Sequence, residues 1–401
     1  MEEQELMTAE PKQKNSIFKI VVAVVLTAVI SVSASFFFFP KKTPADSTPV
    51  KYGKLEELQA IIDKHYYGEI NAEELEKSML LGYILGIGDK YANYLDASDS
   101  DERSETLSGN ATGIGIIVAL HPETGNLYVK NVYDNAPAMK AGLLVGDQIE
   151  KIDSVPVKET GYTKAVESIQ REIGKTVDLT VLRGEKTLDL KVTYSAFVSQ
   201  TVFYKLLDDG CGYVQIISFN GETPKQFSNA VNKLVAAGAK SLIFDVRGNG
   251  GGTVDSVTKM VDFLCPEGTI MTAKYADGTV ETIATSDSVE VELPMAVLTD
   301  ETTASASELF TASIKEFGKG ISVGSKTYGK GVMQGTYTLS DGSTAVITIA
   351  EFFVHNDVSF NEKGISPDIP VDIKEEDLVY RHLWSVDEDP VISAAREHFN
   401  K

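Results

Sequence analysis

The run Ser241-Leu242-Ile243-Phe244-Asp245-Val246 passes without a break into Arg247-Gly248-Asn249-Gly250-Gly251-Gly252-Thr253, and a helix-like stretch follows. Six mostly apolar residues bounded by glycines read as a strand covered on both faces, since such a strand has no reason to alternate apolar and polar residues. A buried strand, a glycine-rich turn and a helix in succession are the unit of an α/β sheet. Similar short apolar runs recur at 212–217, 294–298, 321–324 and 345–354, so the expected fold class is α/β.

The glycine-rich turn invites two chemistries. Nucleotide binding is disfavoured, because Thr253 stands where a dinucleotide fingerprint needs its third glycine, and no Gly-Lys-Ser/Thr follows for a P-loop. An oxyanion hole is the other reading: amides without side chains approach a developing negative oxygen closely, and losing one such donor costs about 100- to 1,000-fold in rate. A nucleophile and a base are then needed. Ser305 lies in Thr303-Ala304-Ser305-Ala306-Ser307-Glu308, and Lys330 lies in Thr327-Tyr328-Gly329-Lys330-Gly331, followed by Gln334. Taken alone, Ser305 with Glu308 three residues on is a capping box, and Lys330 between glycines is a solvated turn lysine.

Composition narrows the alternatives. The chain has 401 residues, 43% of them hydrophobic, which suits two or three globular domains. A formal net charge of −21 argues against nucleic acid as a partner. Two cysteines, Cys211 and Cys265, cannot build a disulfide scaffold or a four-cysteine zinc site, and the sequence leaves open whether they pair. His65, His121, His355, His382 and His398 are scattered with no His-Glu-x-x-His run, which disfavours a metallopeptidase.

Residues 20–39 contain no charge, and at about 1.5 Å per residue they match the roughly 30 Å hydrocarbon layer. A transmembrane anchor is expected. The competing reading is a cleaved signal peptide ending near Val32-Ser33-Ala34, but Phe36 to Phe39 carry the apolar run past that point. Lys12, Lys14 and Lys19 before the span place residues 1–19 in the cytoplasm, weakly offset by Lys41 and Lys42 after it. Residues 40–53 read as a solvated linker. From 54 to 104 the pattern is helical: Leu55, Leu58, Ile62 and His65 share one face, and Asn71 with Glu74 caps a second helix bearing Leu75, Met79 and Tyr83. Core packing is the expected role of these faces. The polar, acidic stretch 98–108 reads as a boundary.

Thr112-Gly113-Ile114-Gly115-Ile116, followed by Ala141-Gly142-Leu143-Leu144-Val145-Gly146-Asp147-Gln148-Ile149, resembles the paired signatures of a circularly permuted bacterial PDZ domain, covering about 105–192. Glycines around Ile114 let successive amides turn toward a terminal carboxylate, and the next strand offers its edge to an extended peptide. The resemblance implies Gly113, Ile114, Gly115 and Ile116 as the peptide-binding residues. A helix from Gly161 toward Glu172, with Tyr162, Val166 and Ile169 on one face, would close the groove.

The segments 245–252, 303–310, 328–334 and 364–369 together resemble the C-terminal processing peptidases, or tail-specific proteases, from about Lys54 onward. That family implies a crotonase/Clp-like spiral core at 193–375, an inserted PDZ domain and a C-terminal helical segment at 376–401. Carried over by motif, Ser305 matches the nucleophile, Lys330 the general base and Gln334 the residue orienting it, while the amides of Gly251 and Ala306 match the oxyanion donors. A lysine at its usual pKa of about 10.4 is protonated at neutral pH, so Lys330 must be desolvated to serve. Ser307 takes the capping or packing role. Two departures stand out: Gly250 replaces a common proline, and His355-Asn356-Asp357 replaces a segment that often holds Thr-Pro.

A Ser/His/Asp arrangement using His355 lacks the Gly-x-Ser-x-Gly elbow around Ser305. A membrane-tethered peptide-binding protein with an inactive protease-like scaffold shares every PDZ feature and differs only at Ser305 and Lys330. The expected function is a membrane-anchored serine endopeptidase that recognises protein C-termini, uses no metal or organic cofactor, and faces the extracytoplasmic side. Its expected partners are protein or peptide substrates with free C-termini and, by family analogy, a second copy of itself.

Overall fold

The structure is a computed structural model describing residues 52–169 and 172–400. The expected cytoplasmic N-terminus and the apolar span 20–39 lie outside the described residues, and among those described no helix is long and apolar enough to cross a membrane. The chain divides after Ile70. In the first unit the helix Gly53–His65 carries Glu56 in its first turn and Lys64 and His65 in its last, charges that complement the helix dipole. It buries no residue, and Leu58 is 51% exposed, so the expected core packing of this face does not hold.

In the second unit the helix Ala72–Leu85 starts at Asn71, whose side chain accepts from the Glu74 amide at 3.2 Å. It too buries no residue, and Met79 and Tyr83 stay exposed. The stretch read as a polar boundary is instead a helix, Ala97–Ser108, with Asp96 as N-cap and Gly109 ending it at φ 94°. Its acidic residues are compatible with helix because the whole element is solvated. The strand Asn93–Leu95 before it pairs antiparallel with Thr344–Val354.

A six-stranded sheet forms the body of the second unit. Its order is Val202–Leu206, Cys211–Ile216, Ser241–Asp245, Met295–Thr299, Gly320–Gly324 and Ile369–Pro370, parallel except at the first pair. Alternation along Ser241–Asp245 sends Leu242 and Phe244 into one core and Ile243 into another. The first core gathers Phe227, Phe244 and Phe310 at ring-centroid separations of 5.3 to 6.0 Å. The second packs under the C-terminal helix Pro390–Phe399 through Val391, Ile392 and Ala395. Both cysteines are buried and free. An antiparallel sheet of five strands, with Thr344–Val354 at its centre, completes the body.

A separate sheet with its own core is built from the strands Ile116–Leu120, Leu127–Val132, Gln148–Ile152, Thr176–Arg183 and Lys186–Thr193. Asn110–Gly113 pairs with Ser195–Val198, so the segments that enter and leave this domain form its neck. Its helix is Val157–Ile169, beginning before Gly161 rather than at it, and Gly161 breaks the helical backbone at φ 75°.

Phe310 is fully buried among three other aromatic rings. Truncation to alanine is expected to cost about 3–5 kcal/mol, the range for aromatic-to-alanine changes in cores. Chemical denaturation should show this as a lowered midpoint at unchanged slope.

Candidate active site

Adjacent parallel strands Ser241–Asp245 and Met295–Thr299 end side by side, and the loops leaving their carboxyl ends form the site. Asp300 ties the two loops together: its Oδ1 accepts from the amides of Gly248 at 3.1 Å and Thr303 at 3.0 Å. Asn249 does the same from the other side. Its carbonyl accepts from the Ala304 amide at 3.2 Å and the Ser307 hydroxyl at 2.8 Å, while its side-chain amide donates to Ile216 at 2.9 Å. Ser307 is thus fully buried and committed to packing the loops together.

Ser305 caps the helix Ala306–Glu316 with φ 58° and ψ −116°, a conformation that costs a non-glycine residue about 1–3 kcal/mol. The small neighbours Ala304 and Ala306 leave room for this turn. Gly251 lies against it: a Cβ there would come within 3.0 Å of the Ser305 Cβ and the Ala306 amide nitrogen. Gly252 is also obligatory, since a Cβ would meet the Phe219 carbonyl oxygen at 2.1 Å, whereas one on Gly250 would meet nothing within 4 Å. The Ala306 amide, in the first turn of its helix, has no hydrogen-bond partner among the described residues. The Gly251 amide differs from expectation. It donates to the Asn249 side-chain oxygen at 2.8 Å, an Asx turn, and so is not free to meet an oxyanion in this conformation.

Glu308 holds the serine and lysine loops in one register. Fully buried, its carboxylate accepts from the Ser305 amide at 2.9 Å and the Lys330 amide at 2.8 Å on one oxygen. The other oxygen accepts from the Gly329 amide at 2.7 Å and the Thr327 hydroxyl. The expected capping box is present, with Glu308 at N3 reaching back to the Ser305 amide. Gly329, at φ 95°, lets the lysine loop turn where a Cβ would press on the Gly364 amide at 2.9 Å.

The Lys330 side chain is half-buried, and burial first and the Arg103 charge second push its pKa below the usual lysine value, with Asp89 opposing them. Its Nζ stands 4.8 Å from the centroid of the Tyr91 ring, a contact that favours the charged form. The ring contact contributes on the order of 0.5–2 kcal/mol to the charged form. No hydrogen bond joins Lys330 Nζ to the Ser305 hydroxyl or to Gln334 in this conformation. Gln334 instead shares with Ser305 a pocket of about 200 Å³, and its side-chain nitrogen lies 3.4 Å from the Val332 carbonyl and the Thr348 hydroxyl. Val254, Val257, Leu309 and Phe352 share the pocket wall with polar groups, and Arg103 is the one charged residue among the described residues that line it.

Arg103, Tyr91 and the buried role of Glu308 are absent from the sequence reading. Arg103 was concealed by taking 98–108 as a boundary, although Asp96 with Asp99 signals a helix start there. His355 lies elsewhere: its ring stacks on Phe317 at 4.1 Å and its Nδ1 is 3.0 Å from the Thr269 carbonyl.

In the separate domain, Gly113 through Ile116 line a groove of about 390 Å³ together with Val166 and Ile169 from the helix opposite. Gly115 is required there, since a Cβ would meet that of Ala136 at 2.2 Å, and Ile114 is itself buried. The Tyr162 hydroxyl reaches the Val118 carbonyl at 3.4 Å across the groove. Glu102 adds a carboxylate to the rim. Among the described residues no cluster of histidine, cysteine, aspartate or glutamate could hold a metal ion.

The positive φ of Ser305 carries a stability prediction. Ser305→Gly should be more stable than Ser305→Ala by on the order of 1 kcal/mol, because glycine adopts this backbone without strain. Thermal unfolding of the two variants at one pH measures the difference, and an equal or lower midpoint for the glycine variant would contradict the strain.

The profile of peptidase family S41 matches residues 210–371, and that of the PDZ domain matches 113–194. The carboxy-terminal processing protease CtpA of Bacillus subtilis (strain 168) is 30% identical over 357 residues, covering 88% of this chain and 76% of that protein. A CtpA-like serine protease of Staphylococcus aureus (strain MRSA252) is 29% identical over 353 residues, covering 87% and 71%. A solved structure from Bacteroides fragilis NCTC 9343, assigned to the S41 proteases, shares the fold with a TM-score of 0.59 at 16% identity, covering 84% of this chain and 91% of that one. With an α/β peptidase body, an inserted PDZ domain and these relatives, the chain belongs to peptidase family S41 as a PDZ-containing carboxy-terminal processing serine protease.

Proposed function

We propose that the protein is a membrane-anchored endopeptidase that captures a substrate's free C-terminus in its PDZ groove and cleaves through an acyl-enzyme on Ser305, with Lys330 as the base. The observation that carries the reading is the Glu308 carboxylate, which accepts hydrogen bonds from the amides of both Ser305 and Lys330 and so fixes one loop against the other. Ser305 attacks the scissile carbonyl carbon as Lys330 Nζ takes its proton. The same proton then passes to the leaving amine, and Lys330 activates water to hydrolyse the ester. Gln334, sharing the Ser305 pocket, orients the lysine, and the amides of Ala306 and Gly251 receive the oxyanion. Two adjustments precede attack. Lys330 leaves the Tyr91 ring for the serine hydroxyl, and the Gly251 amide releases Asn249.

Residues 20–39 supply the anchor, with the catalytic part on the extracytoplasmic side of a bacterial cell membrane, as the charge-free span and its preceding lysines favour. The solvated apolar side chains of the helix Gly53–His65, and separately of Ala72–Leu85, are what a second copy would cover in a homodimer.

Ser305→Ala and Lys330→Ala should each lose cleavage by about 1,000-fold or more while still binding a peptide that ends in a free carboxylate. Hydrolysis retained in the lysine variant would move the base elsewhere. Because the Lys330 pKa is lowered, kcat/KM should rise with pH through an apparent pKa below the ordinary lysine value of about 10.4. A peptide amidated at its C-terminus should be cleaved at least about tenfold less efficiently than the same peptide with a free carboxylate, measured as kcat/KM.

A further inference from the structure

A third cavity, of about 420 Å³, lies away from both the PDZ groove and Ser305. Three parts of the chain wall it: the PDZ strand Leu127–Val132, the core strands Cys211–Ile216 and Ser241–Asp245, and the segment from Arg381 to Asp389. Along the PDZ strand, Leu127 and Val129 point into the domain core, so Tyr128 and Lys130 face the cavity.

The cations around this cavity are not all directly paired. Arg247 bridges Asp245 at 2.7 Å and Asp389 at 2.9 Å, and Arg381 pairs with Asp300 at 2.9 Å. Among the described residues the Lys130 side chain has neither an ion pair nor a hydrogen bond, although most of it is taken out of water and the Asp245 charge acts on it from a distance. His382 is in the same condition at one nitrogen: Nε2 is buried without a partner, and the ring lies 6.1 Å from that of Tyr128. The Lys130 ammonium and the His382 Nε2, whose ring meets the Leu120 backbone through its other nitrogen, therefore line one space without partners among the described residues. Burial first and neighbouring cations second depress the pKa of both, Arg381 acting on Lys130 and Lys130 on His382. Such polar groups cost free energy unless a partner meets them.

We propose that this cavity is a binding site for a small carboxylate, held by Lys130 and His382 between the PDZ domain and the C-terminal segment. A carboxylate presents two acceptor oxygens, one for the Lys130 ammonium and one for a His382 that takes up a proton from solvent at Nε2 on binding, and Tyr128 and Trp384 offer apolar walls for the remainder of the acid. Bound there, it joins the PDZ strand to the body of the protease, so its occupancy stabilises this placement of the PDZ domain by mass action.

Trp384 is the chain's one tryptophan and it lines the cavity, so its fluorescence reports on the site directly. Acetate, succinate and citrate are titrated into the intact protein against potassium chloride at matched ionic strength. At least one acid should give a saturable change in emission, with its midpoint weakened at least about tenfold in Lys130→Met and restored within a few-fold in Lys130→Arg. A carboxylate captured by the amides of the PDZ groove would be indifferent to Lys130. The proposal is overturned by the absence of a saturable change with all three acids, or by an unchanged midpoint in a Lys130→Met protein that still unfolds cooperatively.

Discussion

Four donors converge on the carboxylate of Glu308, and they come from two loops that the sequence separates widely. The position of Lys330 relative to Ser305 depends on this group more than on any other. A buried carboxylate that accepts from both backbones leaves neither loop free to drift, because each lost contact would strand an amide out of water at about 1–3 kcal/mol. The same contacts help to hold Ser305 in a backbone conformation that a serine would otherwise avoid. Strain at one residue is tolerated here because the surrounding hydrogen bonds over-determine it.

The parallel sheet makes this convergence available. Strands Ser241–Asp245 and Met295–Thr299 are neighbours, so their outgoing loops start side by side, and Asp300 and Asn249 join them with hydrogen bonds whose partners are largely backbone. The glycines of the first loop are there for fit. Gly251 and Gly252 pass so close to Ser305 and Phe219 that any side chain would collide, whereas Gly250 faces open space and carries no such demand. A left-handed backbone and close approach are separate reasons for glycine: Gly248, at φ 75° with open space around it, shows the first, and Gly251 and Gly252 add the second.

Much of this was legible beforehand. The strands of the body could be read because they are buried on both faces and bounded by glycines, and the PDZ signatures because each glycine there answers a backbone need. Ser305 and Lys330 could be singled out by motif. What could not be read was how a charge behaves once buried. Glu308 looks like an ordinary N3 glutamate of a capping box, and only the fold shows that its carboxylate also serves a loop beyond the next strand. The helix Ala97–Ser108 was hidden for the opposite reason: it has no apolar face to give a period, so Arg103 and its proximity to the site carried no signal. The apolar faces of the first two helices were periodic and yet unburied, since periodicity reports a face and not what covers it.

The account rests on one buried carboxylate placing a serine and a lysine. Its most direct test is the rate at which a fluorophosphonate labels Ser305 in Glu308→Gln, with cooperative thermal unfolding recorded on the same sample. The glutamine amide introduces donors where the loops present only donors, so labelling should slow by about 100-fold or more in a protein that remains folded. A folded Glu308→Gln protein labelled at the wild-type rate would contradict the account.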